Sequence, residues 1–220
     1  MEKVLFCWSG GKDSAMALYE LQKSRKYEVI SLLTTITEGH DRVSLHGVRR
    51  ALVRKQAQSL GLPLEEVFIP QDCPNQEYES KMRAALARFR EAGVSLAAFG
   101  DIFLEEVRKY REDNLSRLDM KGLFPLWGRD TAELIPSFIA SGFQAVTTCV
   151  DAKVLDDGFV GRILNREFLA SLPASVDPAG ENGEFHSFVF NGPIFQERIN
   201  YDLGDKVRRD SLHFCDLLPV

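Results

Sequence analysis

The chain has 220 residues, 45% of them hydrophobic, enough to bury one large domain or a domain with a smaller appendage. A net charge of −5 and a pI near 5.5 disfavour duplex nucleic acid as the main partner. Cys7, Cys73, Cys149 and Cys215 form no Cys-x-x-Cys pair and read as reduced thiols, and no apolar run approaches the ~20 residues of a membrane span, so a soluble, cytoplasmic chain without a signal peptide is expected.

Val4–Trp8 is short, apolar and stopped by glycine, as a buried parallel strand should be. A helix is predicted from Asp13 to about Lys23, and a second strand, rich in β-branched residues, from Val29 to Ile36. Val48, Leu52, Val53, Ala57 and Leu60 share one helical face, and Gly61 and Pro63 end that helix. A brief strand at Val67–Ile69 precedes a helix marked by Tyr78, Met82, Leu86 and Phe89 and closed near Gly93. Val94 to Phe99 reads as a fourth strand ending at Gly100-Asp101, with a charged helix from about Leu104 to Leu118. This alternation predicts an α/β fold with a doubly wound parallel sheet, which binds ligands beyond the carboxyl ends of its strands. After Gly122 the pattern changes: a helix at about Thr131 to Ser141, a strand from Phe143 to Val150, another at Phe185 to Phe190, and one near Leu212 to Leu217. Residues 1–121 are therefore expected to form a nucleotide-binding domain and 122–220 a smaller α+β substrate-binding lobe, joined without a flexible linker.

Ser9-Gly10-Gly11-Lys12-Asp13-Ser14 lies between the first strand and the first helix. Glycines there can adopt angles closed to other residues and leave room for an anion, and free amides at a helix start attract phosphate. Lys12 adds positive charge, Ser9 and Ser14 offer hydroxyls, and Asp13 can cap the helix or hold Mg²⁺. The spacing is not that of a Walker A loop. The motif resembles the pyrophosphate loop of the N-type ATP pyrophosphatases, which split ATP into AMP and pyrophosphate; the bland alternative is a strand-to-helix turn with capping side chains.

A second dense stretch runs from Asp177 to Ser187, Asp-Pro-Ala-Gly-Glu-Asn-Gly-Glu-Phe-His-Ser. Such a loop can present polar groups to a substrate while the strand after it anchors the chain. Together, Ser9–Ser14, Leu45-His46-Gly47, Gly100-Asp101-Ile102, Phe124-Pro125-Leu126-Trp127-Gly128 and Gly180–His186 resemble the diphthine–ammonia ligase family over essentially the whole chain. The resemblance is closest in wording to the short bacterial branch; Ala179 and Ser187 stand where many relatives carry cysteine and threonine. It implies an adenine nucleotide α-hydrolase-like (HUP) fold and an AMP-forming, ATP-dependent amide ligase. Since bacteria do not make diphthamide, the chemistry carries over and the acceptor is left open.

On this reading ATP and Mg²⁺ are the cofactors. Ser9, Gly10, Gly11, Lys12, Asp13 and Ser14 hold the phosphates, with Asp13 toward the metal, while Thr34, Thr35 and His46 meet the nucleotide. Asp101, Glu181, Asn182, Glu184 and His186 face the acceptor, with Lys12, Glu184 and His186 as the catalytic candidates. Tyr110 and Arg111 can anchor an acidic substrate or form a solvated helix face, and Trp127 reads as core. The implied partners are a small-molecule or protein-borne carboxylate and ammonia, with no membrane, and a homodimer is left open. Thiolation of a tRNA base is the runner-up, opposed by the missing Cys-x-x-Cys pair and the acidic balance. A nucleotide sensor with little turnover is the third reading, opposed by the cluster Glu181, Glu184 and His186.

Overall fold

The structure, a computed structural model, describes residues 1–44 and 46–220; Leu45, part of the Leu-His-Gly motif, lies outside the described residues. The chain runs β1 (Glu2–Cys7), α1 (Lys12–Ser24), β2 (Tyr27–Thr37), β3 (Arg42–Val43), α2 (Arg50–Leu60), β4 (Leu64–Ile69), α3 (Asn75–Glu91), β5 (Leu96–Ala98), α4 (Glu105–Ser116) and β6 (Lys121–Leu123). It continues through α5 (Thr131–Ala140), β7 (Gln144–Asp151), a 3-10 turn at Asp157–Phe159, α6 (Arg166–Ser171), β8 (Phe185–Asn191), β9 (Tyr201–Arg209) and β10 (Leu212–Pro219).

Leu32 and Leu33 of β2 pair in parallel with both β1 and β4, so these strands lie on opposite edges of β2. β5 joins the far edge of β1 and β6 the far edge of β5, again in parallel, giving the order β4-β2-β1-β5-β6. Only β3 is antiparallel, on the end of β2. The chain moves outward from β1 to β4, then returns to β5 on the other side. That reversal between β1 and β5 is the switch point where such sheets bind ligands. β1 shows why both faces are covered. Val4, Phe6 and Trp8 enter one apolar cluster with residues of α1 and α2, while Leu5 enters a second with residues of α3 and α4, following the two-residue strand period.

The expected strand to Phe99 is shorter, three residues, and begins after Val94, whose amide is bonded back to the Phe89 carbonyl at the end of α3. The expected boundary at 121/122 falls inside β6, which still belongs to the first sheet.

The second sheet is antiparallel in the order β8-β7-β10-β9. Phe185 and Phe188 of β8, with Phe138 of α5 and Phe168 of α6, belong to the same apolar cluster as Val4, Phe6 and Trp8, so one core runs through both lobes. β8 is its outer strand, and its free edge docks on the loop after β1: the Val189 N–H donates to the Gly10 carbonyl at 2.9 Å. Gln56, fully buried on α2, locks this junction. Its Nε2 donates to the carbonyls of Gly10 (3.0 Å) and Val189 (2.6 Å), and its Oε1 accepts from Trp8 Nε1 (2.9 Å).

Gln56→Leu keeps the volume and removes all three bonds. The Gly10 carbonyl retains Val189, but the Trp8 N–H and the Val189 carbonyl are left buried and unpaired, at about 1–3 kcal/mol each. Urea unfolding should show an unfolding free energy lower by that amount, with a lower midpoint; a midpoint equal to wild type would remove Gln56 from its place in the junction.

Candidate functional site

A cavity of about 380 Å³ opens beyond the ends of β1, β2 and β5, at the switch point. The loop after β1 and the first turn of α1 contribute Ser9, Lys12, Asp13 and Ser14 to its wall. The end of β2 contributes Thr34 and Thr35, and the turn after β3 contributes Ser44 and His46. Asp101 and Arg111 come from the β5 side, and Gly180, Glu181, Gly183, Phe185 and His186 from the second lobe.

The glycine pair is required for a different reason from the one its sequence suggests. Gly10 has φ 81°, and a Cβ there would lie 2.7 Å from Gln56 Oε1; at Gly11 it would lie 3.1 Å from the Ser187 carbonyl oxygen. The space left by the missing side chains is filled by protein, so the pair admits α2 and β8 to the back of the loop. The Ser187 hydroxyl accepts from the Lys12 amide at 3.2 Å. α1 has Gly11 as its N-cap and no side-chain cap, so Asp13 is not a capping residue. Gly100, at the end of β5, permits another close approach: a Cβ would sit 2.9 Å from the backbone of Asp13 and Ser14.

Lys12 is 3% exposed, with its ammonium 2.8 Å from Asp13 Oδ2 and 4.9 Å from the centre of the Phe185 ring. Burial pushes the Asp13 carboxyl up, against the pull of Lys12. The rings of His46 and His186 lie 4.6 Å apart. Burial, then the charge on Lys12, brings His186 down to about 4; burial, His186 and Lys12 hold His46 well below the usual imidazole range. Both are therefore neutral at pH 7. Thr34 Oγ1, His46 Nδ1 and Asp13 Oδ1 are buried with no hydrogen-bond partner among the described residues. These are groups a bound nucleotide can satisfy.

Glu181 and Glu184, three residues apart on one loop, do different things. Glu181 Oε1 accepts from the Ile102 N–H at 2.8 Å, tying the second lobe to the segment after β5. Burial, reinforced by Asp13 and Asp101, pushes its carboxyl up to about 7 against the Ile102 bond and Lys12. Glu184 is turned into the loop, where it accepts from the amides of Asp177 and Asn182, both at 3.0 Å, and from Asn182 Nδ2 at 3.1 Å. Neither Glu184 nor Asn182 lines the cavity. Of the sequence candidates, the structure brings Ser9, Lys12, Asp13, Ser14, Thr34, Thr35, His46, Asp101, Glu181 and His186 to one cavity, with Gly10 and Gly11 in the loop behind. Arg111, half-buried against Asp101, belongs to the cavity rather than to a solvated helix face. Trp127 stacks with Arg108 away from it. Gln56 is the residue the sequence reading passed over; its signal was a polar side chain on the apolar face of α2.

Among the described residues, no three His, Cys, Asp or Glu side chains converge to hold a metal ion. A phosphate-borne Mg²⁺ needs only one or two protein carboxylates, and the unpartnered Asp13 Oδ1 suits it. Among the described residues, no helix is long and apolar enough to cross a membrane.

Comparison with known proteins gives two family matches. The diphthamide synthase N-terminal domain covers residues 2–122 and the diphthamide synthase C-terminal domain residues 130–217. The chain is 29% identical over 180 residues to the diphthine–ammonia ligase of Rattus norvegicus, a match covering 78% of this chain and 66% of that protein. It is 27% identical over 238 residues to that of Schizosaccharomyces pombe, covering 98% of this chain and 38% of the yeast protein. Among solved structures, a predicted subunit of tRNA methyltransferase from Methanocaldococcus jannaschii matches 66% of this chain and 77% of its own, at 15% identity and a TM-score of 0.44. The chain belongs to the diphthamide synthase family, and the relatives it matches are diphthine–ammonia ligases.

Proposed function

We propose that the protein is an AMP-forming amide ligase of the diphthine–ammonia ligase type: it adenylates an acceptor carboxylate and then transfers that acyl group to ammonia. The observation that carries this reading is one cavity bounded on one side by Lys12 and the pyrophosphate-type loop, and on the other by the proton-accepting Glu181. A simple nucleotide sensor needs the first and not the second.

ATP fits the wall formed by Thr34, His46 and the loop, whose buried unpartnered atoms supply acceptors and donors. Lys12 holds the β and γ phosphates and stabilises the departing pyrophosphate. Neutral His46 and His186 hydrogen-bond without competing with Lys12 for the anion. A Mg²⁺ ion on the phosphates, met by Asp13, would neutralise charge there. An acceptor carboxylate oxygen attacks the α phosphorus and the bond to pyrophosphate breaks. The nitrogen of ammonia then attacks the acyl carbon, the bond to AMP breaks, and the nitrogen loses a proton. Of the side chains on the acceptor side, Glu181 takes that proton most readily at neutral pH, because His186 at about 4 holds protons too weakly. Glu184 shapes the loop that presents Glu181, a role different from the catalytic one its sequence position suggests.

Lys12→Ala should weaken ATP binding by about 1.5–3 kcal/mol, the scale of a hydrogen bond to a charged group, and weaken AMP binding much less. Calorimetric titration of both nucleotides checks this, and equal losses would move Lys12 off the β and γ phosphates.

The two glutamates separate cleanly. Glu181→Gln keeps an oxygen for the Ile102 N–H, so the melting temperature should hold while amide formation falls by about 10²–10⁴, the usual contribution of a general base. In the wild type the base must be unprotonated, so the rate should rise with pH through about 7, and this limb should vanish in Glu181→Gln. Burial is the main reason that midpoint lies so high; the Ile102 N–H and Lys12 oppose it, and Asp13 and Asp101 add to it. Glu184→Gln replaces an acceptor among three donors and should cost about 1–3 kcal/mol of stability instead. A stable, inactive Glu184→Gln beside an active Glu181→Gln would reverse the two roles.

A further inference from the structure

The cavity does not end at the groups described above. Between α3 and α4 lies a side compartment of about 50 Å³, and Cys7, Tyr78, Met82, Phe99 and Arg111 border both spaces. Its inner wall is apolar, with Leu86, Phe99 and Leu115. Its outer rim is polar, with Glu79, Arg83, Tyr110 and Asn114, of which Arg83 and Tyr110 are exposed. None of Lys12, Asp13, Thr34 or His46 borders it. At roughly 10–15 Å³ per water, the compartment has room for a row of a few small groups, a short unbranched arm and not a purine.

Arg111 stands where the two spaces meet. Of the described residues bordering the main cavity, only Lys12 and Arg111 belong to the cationic Lys and Arg types, and Arg111 is the one on the β5 side. Its guanidinium lies 4.5 Å from the centre of the Phe99 ring. Phe99 stacks on Phe124 at 5.5 Å, and Arg108 lies 5.0 Å from the Phe124 ring, so Arg111 ends a stack of four side chains with two rings between two guanidiniums. One edge faces Asp101: Nη2 donates to Oδ1 at 3.0 Å, while Nε and Oδ2, 2.7 Å apart, form an ion pair without hydrogen-bond alignment. Nη1 makes no hydrogen bond among the described residues. With a face on Phe99 and one edge on Asp101, the remaining Nη1–Nη2 edge is fixed in place and free for a second carboxylate, the geometry a guanidinium fork favours.

We propose that Arg111 is the receiving cation for the acceptor's carboxylate, and that the α3/α4 compartment holds the short apolar arm carrying it. The acceptor class is then a carboxylic acid on an unbranched alkyl arm, entering carboxyl-first between α3 and α4 while the nucleotide uses the main mouth. Asp101 is a positioning residue for Arg111. This rests on the carboxylate-activating reading above and adds to it the substrate class and the route of access.

The test uses trifluorobutyrate as the probe, titrated by fluorine NMR into the full chain saturated with Mg²⁺ and an ATP analogue that cannot be cleaved between the α and β phosphates. Saturable binding is expected for the wild type. Arg111→Gln removes the receiving charge and Asn114→Phe narrows the rim; each should weaken the probe about tenfold or more, ~1.4 kcal/mol, and keep the analogue's affinity within about threefold. Arg111→Lys, which keeps charge but not the fork, should fall between and guards against a folding defect in the glutamine variant. The proposal is overturned if the wild type shows no saturable binding, or if Arg111→Gln binds the probe unchanged. It is also overturned if Asn114→Phe leaves the probe unaffected, since the arm then lies elsewhere, or if Arg111→Gln loses the analogue, since the guanidinium then serves the nucleotide. A wild type that fails to bind the analogue fails the ligase reading itself, a result distinct from all of these.

Discussion

The side-chain amide of Gln56 holds three parts of the protein to one another: the end of the first strand through Trp8, the loop through Gly10, and the edge of the second lobe through Val189. All three bonds are buried, where a low dielectric strengthens each one and makes any unpaired partner costly. The loop is therefore shaped from behind. Gly10 and Gly11 leave the room that Gln56 and the Ser187 carbonyl occupy, so the conformation of the loop does not depend on an anion being present in front of it. A preformed phosphate cradle binds without first ordering its own backbone, and the affinity otherwise spent on that ordering is kept.

Charge around the cavity is arranged in two local balances. Lys12 is almost wholly buried, beside Asp13 and near two imidazoles kept neutral by burial and by Lys12 itself. Arg111 is paired with Asp101 on the other side. Burial pushes the Glu181 carboxyl up, and Asp13 and Asp101 add to that against the Ile102 amide and Lys12, which brings it to about 7. A carboxyl that changes protonation near pH 7 suits transfer of a proton from an amine, and neither histidine matches it.

Much of the first sheet was legible because a short apolar run stopped by glycine, as in β1, and a run rich in β-branched residues, as in β2, are what buried parallel strands carry. β9 was not. Asp202, Asp205, Lys206, Arg208 and Arg209 leave it no apolar period, and it forms as an exposed edge through backbone pairing with β10. The candidate site was legible as a set of residues but not as a set of roles. Glu181 and Glu184 are equivalent in sequence, and only the turns at Gly180 and Gly183, with φ 63° and 88°, decide which carboxylate faces the cavity. Arg111 sits on a helix whose neighbours Glu112 and Asp113 are charged and exposed, so nothing in the pattern separates it from a solvated face. Its place is set by the approach of α4 to Phe99.

These contacts close into a ring around the cavity. From the loop, Gly10 bonds Val189 of β8, and Phe185, His186 and Ser187 of the same strand each act on Lys12, by a ring face beneath the ammonium, by an imidazole in its field and by a hydroxyl on its amide. The loop before β8 reaches across through Glu181 to the Ile102 amide after β5. The end of β5 returns to the start of α1, where Gly100 admits the backbone of Asp13 at a distance that excludes a side chain. Each link joins residues far apart in the chain, so no segment can move its functional group without straining the next. The wall carrying Lys12 and the wall carrying Glu181 are then held in register by the protein itself, and a site held this way spends no binding energy on its own assembly.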